Sequence, residues 1–143
     1  MGGVFVSVVS VAVWLLTAAL GANLLIRGGA FRGGPNGRSG RRRVLLVIHV
    51  LCAVSALAVW VCFVIVPTRA LGLASVAVLL VAAAHGLIMV LRWAPGFGRH
   101  ALLGRPQRRN GGYFPVHAAA IHAVAAGSTV TLVVMVLVRF FTE

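Results

Sequence analysis

Acidic side chains are almost missing from this chain. Its 143 residues hold a single carboxylate, Glu143, with no Asp and no Lys, so all thirteen basic residues are Arg. Catalysis by paired carboxylates needs two acids and is excluded. A Ser-His-Asp triad is excluded as well, because Ser55, Ser75, Ser128, Thr129 and Thr131 have no Asp to complete one. A carboxylate-lined path for divalent cations lacks its ligands, and a proton relay would have to run through His alone. Gly96-Phe97-Gly98 is not a nucleotide loop, since no strand precedes it and there is no Walker lysine.

Cysteine is scarce too. Cys52 and Cys62 lie ten residues apart in one apolar run. On a straight helix that is roughly 15 Å, beyond the reach of a disulfide. No CxxC is present, and both read first as buried apolar residues. Charge of either sign is low, at 10% of residues against 61% hydrophobic; a soluble domain is about a quarter charged. A soluble globular enzyme is therefore excluded.

What the chain has instead is long apolar runs. Four stand out, at about 4–26, 44–66, 70–91 and 116–138. Each is long enough to cross a hydrocarbon core of roughly 30 Å as a helix, and none alternates as barrel strands do. The expected fold is an all-α integral membrane protein, one four-transmembrane-helix up-down bundle forming a single domain over residues 1–143. The first run has no basic residue before it and arginines after it, so it reads as a retained helix and not a cleaved signal. Loop 27–43 has six Arg and a Gly-Pro-Asn-Gly turn, the composition of a flexible loop; loop 92–115 has five, and the hairpin Pro67-Thr68-Arg69 and the C-terminal tail have one each. The positive-inside bias puts the two long loops in the cytoplasm and both termini outside. It also explains the net charge of +12 without nucleic acid. Trp93, Phe97, Tyr113 and Phe114 suit interfacial anchors, and 99–103 suits a short surface helix. Ala- and Gly-rich stretches in the third and fourth runs, with Ala18, Ala19, Gly21, Ala22 and Asn23 near the inner end of the first, predict close helix packing. No internal repeat stands out, although the second and fourth runs both carry a histidine soon after a basic loop.

Histidine is the one intramembrane ligand in quantity: His49, His85, His117 and His122, with His100 left in a loop. With orientation set by arginine, all four fall within roughly 10 Å of the cytoplasmic face, a layer in one third of the membrane. One candidate ligand is haem b held by two imidazoles. In an up-down bundle the second and fourth helices are diagonal, roughly 13 Å apart, which suits His49 facing His122 or His117. His85 then joins a second ligand set, bonds a propionate or binds quinone, and Arg43 and Arg92 suit the propionates. The other candidate is copper, through His49 with Cys52 and His85 with Met89 at helical spacing. The bland alternative has the histidines bonding carbonyls or one another and fixing helix register.

Helix count together with His49, His85, His117 and His122 resembles small four-helix membrane b-type cytochromes and the membrane anchors of respiratory dehydrogenases. The resemblance covers the bundle and not the loops, and the outer half lacks histidines for a second haem. It implies a haem b electron-transfer or quinone-reactive anchor subunit, working in a larger membrane complex or as a homo-oligomer. The alternatives are a non-catalytic accessory or assembly subunit and a copper-handling membrane protein. Arg-only, Val/Ala/Gly-rich usage resembles that of a high-GC bacterial genome, giving the bacterial plasma membrane as the expected location.

Overall fold

The computed structural model describes residues 2–27, 39–93 and 116–142, with side chains within 6–26, 43–91 and 117–142. Among them the chain forms four α-helices: α1 (Gly2–Arg27), α2 (Ser39–Ile65), α3 (Arg69–Trp93) and α4 (Val116–Thr142). All four are long and apolar enough to cross a membrane. In lipid no water is available to the backbone, so an uninterrupted apolar run satisfies its amides only by coiling into a helix.

Helix boundaries follow hydrogen-bond supply more than hydropathy. Expected spans stop at the first arginine, whereas α2 begins at Ser39 and takes in Arg41, Arg42 and Arg43. Arginine is a good helix former, so the backbone helix outlasts the apolar run. At its other end α4 continues beyond Val138 through Arg139 to Thr142; a cation there complements the helix C-terminus. Between α2 and α3 the chain reverses sharply. Val66 N–H closes the last bond of α2 onto the Cys62 carbonyl at 2.8 Å, and Pro67 has no N–H to continue it. Thr68 then caps α3, its hydroxyl accepting from Leu71 N–H at 3.3 Å. Phe97, Tyr113, Phe114 and the segment 99–103 lie outside the described residues, as do most of both arginine-rich loops.

The helices run alternately up and down. α2 packs chiefly on α3 and α1 chiefly on α4, with thinner α3–α4 and α1–α2 interfaces. The apolar core sits toward the end that holds the α2–α3 turn, around Trp14, Trp60, Phe63, Leu79, Val133 and Val136. Trp60 and Phe63 lie 4.9 Å apart between ring centres, and Phe140 meets Phe63 edge-on at 5.2 Å. Arg69 covers the Phe141 ring at 5.4 Å and ties the start of α3 to the end of α4. The opposite end, toward residues 28–38 and 94–115, holds the histidines.

Burial brings out an internal repeat that the sequence reading passed over. Ser10, Trp14, Thr17 and Gly21 of α1 correspond, at one constant spacing, to Ser75, Leu79, Ala82 and Gly86 of α3, with matching burial at each pair. On α2, His49, Ala56, Trp60 and Phe63 correspond in the same way to His122, Thr129, Val133 and Val136 on α4. Aligned thus, Ser-Val-Ala-Val at 10–13 recurs at 75–78, Ala18-Ala19 at 83–84, and Ile48-His49 at 121–122. α1 with α2 and α3 with α4 are thus corresponding halves of the bundle.

Candidate functional site

Two of the histidines come together in the bundle interior. From α2, His49 Nδ1 bonds the Ala82 carbonyl of α3 at 2.8 Å. From α4, His122 Nδ1 bonds the Thr17 carbonyl of α1 at 3.0 Å. A carbonyl only accepts, so each Nδ1 carries the hydrogen, and in the neutral ring the lone pair sits on Nε2. Both acceptors lie on a neighbouring helix, which must approach closely for its carbonyl to be reached.

Glycine permits that approach. A Cβ added at Gly86 would lie 3.1 Å from His49 Cε1, and one at Gly21 would lie 3.0 Å from His122 Cε1. Each glycine stands one helical turn beyond the residue whose carbonyl is bonded, so Thr17/Gly21 and Ala82/Gly86 are the same device used twice. Ring centres of His49 and His122 are 6.4 Å apart and their planes cross at 81°.

Hydroxyls continue this polar seam toward the core. Thr17 and Thr129 share a buried hydrogen bond of 2.9 Å between α1 and α4. Ser75 donates to the Ala56 carbonyl at 3.0 Å, joining α3 to α2, and the Trp60 indole N–H donates to Ser10 Oγ at 2.9 Å, joining α2 to α1. No buried side-chain polar atom among the described residues lacks a partner.

The other candidates stand apart from the pair. His85 bonds the carbonyl of Val81 in its own helix at 2.8 Å and is half-buried on the flank of α3. His117 is exposed at the start of α4, and Arg43 is exposed near the corresponding end of α2. The Arg92 side chain lies outside those described, as does His100. Cys52 is half-buried and unpaired, Cys62 is exposed, and Met89 is buried in α3. No group of three or more His, Cys, Asp or Glu side chains is placed to hold a metal ion among the described residues. An open groove of about 390 Å³ between α1 and α2 lies toward the far end, and its lining from Val8 to Ile65 is aliphatic, with no donor for a ligand.

Sequence reasoning located the histidines by depth and took Gly21 and Gly86 as small packing residues, but it missed Thr17, Ser10 and the carbonyl of Ala82. The internal repeat was the signal that could have singled out the glycines. The fold and the seam together define a class: four-helix bundles with helices of membrane-crossing length and an imidazole pair between them. No family model, no curated protein and no solved structure matches the chain.

Proposed function

We propose that this chain is an integral membrane haem b-binding subunit, serving electron transfer or reaction with quinone, with His49 and His122 as the residues that would hold the iron. One observation carries the reading: two interhelical imidazoles, each anchored through Nδ1, stand 6.4 Å apart between ring centres. A metal–imidazole bond is about 2 Å and the ring centre lies about 1 Å beyond the nitrogen, so two imidazoles on one iron stand about 6 Å apart. A backbone carbonyl on Nδ1 is the usual support for a ligating histidine, because it fixes the tautomer and the ring direction. When bound, haem supplies one-electron chemistry, and the protein's share is to hold and tune it.

Arginine counts support placing this site near the cytoplasmic face of a bacterial plasma membrane, with both termini outside. Arg43 and Arg92, at the same end as the pair, suit the propionates. His85, half-buried on α3, suits contact with a quinone headgroup. A redox partner would belong to a larger membrane complex or be a second copy of the chain.

The test is titration of the detergent-purified, haem-depleted protein with haemin. One haem per chain is expected, with binding lost in both His49→Ala and His122→Ala and retained in His117→Ala. Binding that survives loss of either member of the pair overturns the reading.

A second reading is favoured by the absence of any unsatisfied buried polar atom among the described residues. Histidines whose Nδ1 serves helix registry suit a non-catalytic accessory subunit. That reading predicts a colourless, metal-free protein that co-purifies with a large partner even when His49 or His122 is replaced.

A further inference from the structure

We propose that Gly21 and Gly86 are positioning residues for the axial imidazoles. With the carbonyls of Thr17 and Ala82, they form two equivalent half-sites that lock the rings of His122 and His49 nearly perpendicular. The inference rests on the haem reading and adds to it the electronic character of the centre and the residues that set it.

Three observations meet here. First, the crossing angle of 81° is held at both rings by the same pair of contacts. An Nδ1–H···O=C bond from the neighbouring helix fixes one edge of each ring. A glycine one turn further along that helix leaves room for the ring at its Cε1 atom, only 3.0–3.1 Å from a notional Cβ. Second, the two devices belong to corresponding positions of the internal repeat, so neither is an accident of local packing. Third, neither glycine is required by its backbone, since both lie within α1 and α3 in ordinary helical conformation. The nearest atoms to a Cβ at either position belong to the imidazole, His122 at Gly21 and His49 at Gly86, so the ring is what each glycine makes room for.

Perpendicular rings have a chemical consequence. In low-spin ferric haem, parallel axial planes donate into the same iron d orbital and split the pair of π-type orbitals. Crossed planes donate into both and leave them nearly degenerate. Parallel planes give a rhombic electron paramagnetic resonance spectrum with three resolved g-values; crossed planes give a single, strongly anisotropic feature at high g. With haem bound, the hydrogen bond on each Nδ1, which fixes the ring's direction, would also contribute to the midpoint potential.

The experiment is low-temperature electron paramagnetic resonance of the oxidised, haem-loaded full chain, together with Gly21→Ala, Gly86→Ala and, as a control, Gly127→Ala. A Cβ at Gly127 meets nothing within 4 Å. The wild type is expected to give the single high-g feature. Each alanine at 21 or 86 is expected to turn its ring and move the signal toward three g-values, with the control unchanged. A rhombic wild-type spectrum overturns this proposal while leaving the axial pair intact, and it requires no variant to fold. So does an unaltered signal in both glycine variants, as a merely structural role would give. A chain that takes up no haem overturns both this proposal and the reading beneath it.

Discussion

At the scale of single residues, the bundle interior is a set of polar contacts that each join two helices. The Thr17–Thr129 pair is the clearest, two hydroxyls at 2.9 Å between α1 and α4. Hydrogen bonds between helices in membranes contribute about 0.6 kcal/mol on average and up to about 1.7. A Thr17→Ala/Thr129→Ala cycle read by steric trapping should give a coupling in that range. Haem uptake should be unchanged, because His122 is anchored on the Thr17 backbone and not on its hydroxyl. The other half of the repeat already manages with Ala82 and Ala56 at the corresponding positions. Histidines were legible in the sequence because an imidazole in an apolar run is costly and rare. Hydroxyls were not, because a serine or threonine can satisfy itself on its own helix and leaves no spacing signature. Ser128 and Thr131 do so on the outer face of α4, bonding Val124 and Gly127 carbonyls at 3.1 and 3.0 Å; Thr129 between them meets the Ala125 carbonyl of its own helix at 3.0 Å and also reaches across to α1.

At the scale of helices, close approach is decided by a few small residues. Gly72 at the start of α3 is the tightest: a Cβ there would lie 2.5 Å from Leu137 Cδ1 and 3.2 Å from Phe63 Cε2. Gly72→Ala should destabilise the bundle by about 1–3 kcal/mol, the usual cost of overpacking. Gly127→Ala, which meets open space, should be neutral or stabilising by up to about 1 kcal/mol through helix propensity. Thermal unfolding in detergent compares the two, and equal effects would contradict the packing described. Helix number could be read from the apolar runs alone. Helix ends could not, because arginine closes a hydropathy window without ending a helix, as the start of α2 shows. The repeat also escaped notice. α2 and α4 keep the burial pattern but replace Trp60 and Phe63 with Val133 and Val136, so what is conserved between the halves is position in the bundle more than residue identity.

At the scale of the whole molecule, His49 and His122, one from each half of the repeat, meet toward the end at which α2 and α4 begin. Alkaline phosphatase joined after residue 143 should be active, and joined within 94–115 inactive, if that end faces the cytoplasm. The reverse pattern would invert the orientation and move the pair to the outer face. Arginine distribution carries the expected orientation, and the up-down diagonal pointed to His49 facing His122; the angle between their rings depends on the carbonyls they bond, which apolar runs do not encode. The most direct measurement is the reduced-minus-oxidised absorption spectrum of membranes holding the full chain, beside those holding His49→Ala/His122→Ala at equal abundance. A Soret shift and a sharp b-type α-band should be present in the first and gone in the second; identical spectra from the two would contradict an axial haem between these histidines.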